Sequence, residues 1–338
     1  MNWTGESVLV TGGASFIGSH LVEALVDRGA NVRVADDLSS GSLEYLSAVR
    51  DQISFFRGDL KRRAFADEVT EEINTVFHLA ADHGGRGYIA EYPANCATNM
   101  ALDTTVYEAA VDNGVERITF ASSACVYPTD IQQDQVRLRE SMVNFDERGG
   151  AYADEVYGWA KLMGERSLQA FEEQYDIDAS IVRIFSAYGP RENETHAVMA
   201  LIAKAYTKQD PFQVWGDGGQ SRNFTYVNDI VKALRLAAEQ ITDGTAVNAG
   251  ISRYVTINET IETIFDALDW EPNEIERNLD KPVGVRHRAA DTTRAEELLG
   301  WTPDVSFEEG IEQTVKWYQE EYDQEEVSQR LSTDLVER

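Results

Sequence analysis

Residues 7–18 read Ser7-Val8-Leu9-Val10-Thr11-Gly12-Gly13-Ala14-Ser15-Phe16-Ile17-Gly18, a short apolar run that breaks into a glycine-rich turn. The run, Ser7–Val10, has the length of a buried strand, and Ile17, Leu21, Val22, Ala24 and Leu25 then recur on one helical face until Gly29. Gly12, Ser15 and Gly18 hold the three slots of a GxxGxxG turn between that strand and that helix. Such a turn bends tightly, lets backbone approach a pyrophosphate, and offers it the amides of a helix N-terminus, so Phe16 and Ile17 join the expected contact set. Ser15 departs from glycine: it is small, but its Cβ restricts close approach.

The same strand-then-helix rhythm recurs in Asn31–Ala35, Ile53–Phe56, Thr75–Leu79, Arg117–Ala121 and Ala179–Phe185, with helical stretches near 100–113 and 157–175. Alternation of this kind predicts an α/β fold, a doubly wound parallel (Rossmann) sheet with ligands at the carboxyl ends of its strands. After Gly189-Pro190 the rhythm is lost. A helix over Ala197–Tyr206, short strands at Phe212–Val214, Phe224–Val227 and Ala246–Gly250, and amphipathic helices at Asn258–Leu268 and Phe307–Tyr322 describe a smaller α+β lobe. The expected division is a dinucleotide-binding domain over 1–188, with returning segments near 225–250, and a substrate lobe over 189–338. The acidic stretch from Glu320 onward is expected to fray.

Asp36 and Asp37 end the second strand, where a carboxylate binds the two adenosine ribose hydroxyls and repels a 2′-phosphate. The predicted cofactor is therefore NAD rather than NADP. Asp59 and Leu60 follow the third strand, where adenine would lie, and Ala80 and Ala81 are small enough to let a dinucleotide pass.

Composition sets limits on partners. Across 338 residues, 59 Asp and Glu oppose 30 Lys and Arg, a net charge of −29. That surface repels nucleic acid and anionic membrane, so any anionic ligand must meet a local cluster of cations. Only seven of the basic residues are Lys, and an acidic, Lys-poor surface suits high ionic strength; the expectation is a halophile's surface, the alternative an ordinary acidic cytosolic protein. Two cysteines, Cys96 and Cys125, make neither a disulfide framework nor a four-ligand zinc site, and no metal site is expected. With no signal-like N-terminus and no run of roughly 18 apolar residues, a cytoplasmic location is expected.

Tyr157-Gly158-Trp159-Ala160-Lys161 is a YxxxK pair whose spacing puts phenol and ammonium on one helical face. A phenol titrates near about 10, and a neighbouring positive charge brings it toward the range of a base for a sugar hydroxyl. Ser123, at the end of the Arg117–Ala121 strand, is placed to bond the same substrate oxygen.

Together these residues resemble the extended short-chain dehydrogenase/reductases that epimerise or dehydrate nucleotide sugars, over residues 8 to about 320. Within that family HLAADHGGRGYI (78–89), SSACVYP (122–128), YGWAK (157–161), WGDGGQSRNFTYV (215–227) and GVRHR (284–288) are most similar to the GDP-mannose 3,5-epimerases. The resemblance implies a nucleotide-diphosphate sugar as substrate, transient oxidation at C4, and proton exchange at C3 and C5. It makes Cys125 an acid/base for carbon-bound protons, and a thiol with a pKa near about 8.5 suits that task; a small buried structural Cys is the alternative. His196 falls where those epimerases have Lys and becomes the second acid/base, a solvated surface His being the alternative. Gly84, Gly85 and Arg86 are placed against the sugar, Asn99 near substrate or cofactor, and Ser186 where Asn is usual. Arg222, Arg286 and Arg288 are placed on the pyrophosphate. A simple UDP-hexose 4-epimerase, or less readily a dehydratase or decarboxylase of the same family, is the alternative enzyme; a non-catalytic dinucleotide sensor is opposed by Ser123, Tyr157 and Lys161. A homodimer is implied by resemblance.

Overall fold

The computed structural model describes residues 2–143, 152–281 and 283–333. Seven parallel strands form the main sheet: β1 (Ser7–Thr11), β2 (Asn31–Asp36), β3 (Ile53–Arg57), β4 (Thr75–His78), β5 (Arg117–Ser123), β6 (Asp178–Ile184) and β7 (Asp243–Ala249). Their order is β7-β6-β5-β4-β1-β2-β3, so the winding reverses between β1 and β4. Ligands of such sheets bind at that reversal, beyond the carboxyl ends.

Alternation along β1 assigns its side chains to two cores. Val8 and Val10 pack with Leu21, Val22 and Leu25 of the helix Phe16–Val26 and with Ile230 and Leu234, whereas Leu9 packs with Val76, Ile118, Phe120 and Val106 on the other face. The helices Asn99–Asp112 and Glu155–Tyr175 cover that second face. Both faces are buried, as a parallel sheet requires.

Two expectations change. The expected strand Phe224–Val227 is shorter, Thr225–Tyr226, which pairs with Ala187–Tyr188, and Val227 begins a helix running to Gln240. Its buried positions Val227, Ile230, Val231, Leu234, Ala237 and Ala238 follow helical spacing, and each large aliphatic side chain contributes about 1.5–3 kcal/mol on burial. This helix delivers the chain to β7. The acidic end is also ordered as far as described: Gln324–Thr333 is helical, with Val327 fully buried. A separate core around Met199, Ile202, Phe212, Ile261, Ile264 and Ile311 belongs to the smaller lobe. Among the described residues no helix is long and apolar enough to cross a membrane.

Candidate active site

A cleft of about 580 Å³ lies along the carboxyl ends of β1, β4, β5 and β6. Its dinucleotide end is built from Gly12, Ser15, Phe16, Ile17 and Gly18. Gly12 has φ +66°, and a Cβ there would stand 2.9 Å from the Ala80 nitrogen. A Cβ on Gly18 would run into the Gly12 carbonyl oxygen. Both positions need glycine, and the absent side chains leave a backbone-lined cradle at a helix N-terminus that fits a pyrophosphate. Ser15 sits at the N-cap with extended backbone, its hydroxyl 3.5 Å from Asp36 Oδ2. Asp36 accepts the amides of Ala14 (3.0 Å) and Leu38 (2.8 Å), while burial pushes its carboxyl pKa up. Ala81 lines the cleft and Ala80 lies behind Gly12. Asp37 and Asp59 instead accept the amides of Ser39 and Lys61, and Leu60 is buried in the core; none of the three lines the cleft.

The reacting end is organised by the helix Glu155–Tyr175. A Cβ on Gly158 would strike the Cys125 carbonyl, so glycine lets this helix abut the loop after β5. That contact brings Tyr157, Ser123 and Cys125 into one wall of the cleft. Burial raises the Tyr157 pKa, Cys125 adds to the rise, and a hydrogen bond with Ser123 opposes it. Lys161, one turn on, donates to the Ala121 carbonyl at 2.8 Å and lies 4.6 Å from the Phe120 ring centre. Burial lowers its pKa, and the carboxylates of Asp103 and Glu165 work the other way. Ser123 Oγ accepts the Cys125 amide (3.1 Å), which turns the loop so that Cys125 enters the cleft.

Three arginines converge next to Cys125. Arg288 Nη1 donates to Cys125 Sγ at 3.4 Å, its Nη2 to Asp154 at 2.8 Å and its Nε to Gln132 at 2.6 Å. Arg86 donates to the other Asp154 oxygen at 2.8 Å. Burial disfavours the Asp154 carboxylate, but the two guanidiniums outweigh it and its pKa falls. Among the described residues Arg222 donates to the backbone carbonyls of Ser221 and Val283, both at 2.8 Å. Burial, then Arg288 and Arg86, pull its pKa down to about 9. The sequence grouped Arg286 with Arg222 and Arg288, but Arg286 is 40% exposed, pairs with Asp217 at 2.9 Å and lies outside the cleft lining. Arg86 takes its place in the cluster. Asn99 does not line the cleft either; it accepts the Asp82 amide (2.7 Å) and donates to the Asp82 carbonyl (2.9 Å), holding the loop after β4.

The model of the NAD dependent epimerase/dehydratase family matches residues 8–250. The chain belongs to that family. It is an enzyme of the NAD-dependent epimerase class. It is 32% identical over 333 residues to GDP-mannose 3,5-epimerase 1 of Oryza sativa subsp. indica, covering 96% of this chain and 85% of the relative. Among solved structures it is similar to the UDP-glucose 4-epimerase of Thermotoga maritima with UDP-glucose (TM-score 0.83, 28% identity, 93% of this chain and 98% of that one). It is likewise similar to the Thermus thermophilus UDP-glucose 4-epimerase in complex with NAD (TM-score 0.82, 27% identity, 93% and 99%).

In this epimerase-family enzyme the cleft holds residues that sequence reasoning passed over. Gly84 and Gly85 line it, and a Cβ on Gly85 would collide with the Thr195 carbonyl, so glycine allows the loop after β4 to touch the loop 189–196. The contact brings His83 beside His196, with ring centres 5.9 Å apart and planes 14° apart. His196 Nδ1 is 2.9 Å from Glu192 Oε1, and both residues line the cleft. Desolvation opposes protonation of His196, but Glu192 outweighs it and the His196 pKa rises. Glu192 is itself buried. Ser186, at φ +24°, also lines the cleft. His83 carries no spacing signal, because its place depends on two loops meeting.

Proposed function

We propose that this enzyme inverts carbon centres next to C4 of a nucleotide-diphosphate hexose, in the manner its likeness to a GDP-mannose 3,5-epimerase suggests. The observation that carries the reading is Cys125, a thiol placed in the same wall as Tyr157 and Ser123 and held by Arg288. NAD supplies reversible hydride exchange at C4 when bound. The cradle of Gly12 and Gly18 would hold its pyrophosphate, and Asp36 its adenosine ribose. Tyr157 takes the C4 hydroxyl proton, with Ser123 bonding the same oxygen and the Lys161 charge favouring the phenolate. A ketone at C4 acidifies the hydrogens on C3 and C5. Cys125 and the histidine wall of His196 and His83 then exchange those protons, and reduction at C4 completes the turnover. Arg222, Arg288 and Arg86 form the cationic pocket for the diphosphate and sugar.

Turnover of GDP-, UDP- and dTDP-hexoses in D2O tests this. Deuterium at C3 or C5 of the product is the expected result. Product with an inverted C4 and no carbon-bound deuterium would refute it and favour the 4-epimerase reading, which the two solved relatives support. A homodimer belongs to the same reading: Met100, Trp159 and Met163 are exposed on two adjacent helices, and sedimentation should give twice the chain mass.

A further inference from the structure

We infer that His83 is the acid/base residue that meets the sugar, and that the His196–Glu192 pair positions it. The inference rests on the carbon-epimerase reading and says which histidine of the wall performs the transfer. His196 is engaged on both sides: Nδ1 with Glu192 at 2.9 Å, and the ring with the Gly84 backbone. His83 differs. Its ring stacks on His196 and lies tilted by 46° to that of Tyr157, whose centre is 6.2 Å away, and neither of its nitrogens has a hydrogen-bond partner among the described residues. It lines the cleft and its side chain is open to it, which leaves the imidazole free to meet a ligand.

Burial and the positive charges around His83 both oppose its protonation. Lys161 and Tyr157 face it from the catalytic helix, His196 and Glu192 from the opposing loop, and Asp82 precedes it in its own loop. Burial, then His196, then Lys161 lower its pKa, whereas Glu192 raises that of His196. Two neighbouring imidazoles whose environments push their pKa values apart in this way suit one to act as base and the other to carry the charge. In the step itself, neutral His83 takes the proton from a carbon beside the C4 ketone. The C–H bond breaks, its electron pair moves toward the ketone oxygen, and an N–H bond forms. Cys125 delivers its thiol proton to the other face of that carbon, leaving a thiolate. A second inversion with the roles exchanged returns the proton to sulfur and empties His83, so two inversions restore both groups.

The test compares His83→Gln and His196→Gln in the NAD-bound enzyme, measuring deuterium exchange, transient NADH and imidazole titration by NMR. His83→Gln should lower carbon exchange by about 100-fold or more while transient NADH persists, since C4 oxidation uses Tyr157. His196→Gln should cause a smaller loss and move the acid limb of exchange to higher pH, because a positive neighbour that kept His83 neutral is gone. Wild-type exchange in His83→Gln, or a larger loss in His196→Gln than in His83→Gln, would overturn the inference. A wild-type enzyme that turns over sugar without carbon exchange would refute the functional reading instead. In that case the titration still decides the arrangement: His83 titrating at its ordinary value would overturn it too.

Discussion

Glu165→Gln is the change that should reveal how much of the active site is held from below. Glu165 lies one turn beyond Lys161 on the catalytic helix, at 2% exposure. Its Oε1 accepts Ser122 Oγ (2.5 Å) and Arg183 Nε (2.9 Å), and Oε2 accepts Arg183 Nη2 (2.7 Å). One carboxylate thus joins the end of β5, which carries Ser123, to β6 and to the helix of Tyr157 and Lys161. With glutamine the negative charge is lost and one of the two acceptors becomes an NH2 group, so that beyond the one remaining amide oxygen Arg183 has, among the described residues, the Tyr127 hydroxyl and the Glu140 carbonyl, both at 3.2 Å. Leaving a buried guanidinium without its carboxylate costs about 3–5 kcal/mol. Urea unfolding at saturating NAD should show that loss. The double variant Glu165→Leu/Arg183→Met removes both charges, and its loss should be well below the sum of the two single losses. Because Ser123 and Lys161 shift with this carboxylate, kcat should fall by up to about 100-fold, the usual effect of an ångström-scale misplacement, with KM changed little. A stability loss under about 1 kcal/mol, or single losses that simply add in the double variant, would refute the reasoning.

Other consequences are as direct. Asp36→Asn should weaken NAD binding by about 1.5–3 kcal/mol, the worth of hydrogen bonds to a charged group, and narrow the preference over NADP; an unchanged Kd for NAD would remove Asp36 from the ribose site. In the cofactor-free protein, burial and Cys125 raise the Tyr157 pKa, so its phenolate absorbance, taken as wild type minus Tyr157→Phe, should appear above the ordinary phenol midpoint. A midpoint below that value would contradict the burial argument. At a net charge of −29, the thermal midpoint should fall as KCl is withdrawn, and a midpoint independent of KCl would show that the carboxylate excess is not tuned to salt.

What was legible in the sequence was what is local in the chain. The GxxGxxG turn and the Tyr157–Lys161 pair have fixed spacings, and a strand followed by a helix leaves few ways to place them. The helix Val227–Gln240 has helical spacing but was not read, because Phe224-Thr225-Tyr226-Val227, with its aromatic and β-branched residues, does contain a strand, Thr225–Tyr226, that runs straight into the helix and hides its start. The helix Gln324–Thr333 was hidden for a different reason. Its polar composition gives no periodic signal, and it is held by tertiary contacts, with Val327 buried and Arg330 donating to Glu194 at 2.7 Å. The arginines show the same limit. Arg286 finds Asp217 in a neighbouring turn while Arg86, from a distant loop, reaches Asp154; no spacing within 284–288 distinguishes those outcomes.

The acidity of the chain and the chemistry of its cleft are therefore separate matters. Where Arg86, Arg222 and Arg288 cluster, the carboxylate they share is Asp154, with Glu155 reaching Arg86 only at its exposed rim and the buried Glu192 taken up by His196. Three positive charges against one leave an excess of two, the charge a diphosphate brings. Without a ligand that excess is a strain: Arg222 is partly buried, lacks a carboxylate partner among the described residues, and has its pKa pulled down by burial and by the other two arginines. A bound diphosphate relieves the repulsion it fills, so its attraction is local and largely protected from solvent. The surface carboxylates act across water, where screening reduces their repulsion to about 10 Å of reach at 0.1 M salt and about 3 Å at 1 M. High salt thus weakens the surface's opposition to an anionic sugar nucleotide far more than it weakens the attraction of the recessed cleft arginines, and a −29 protein can hold such a ligand.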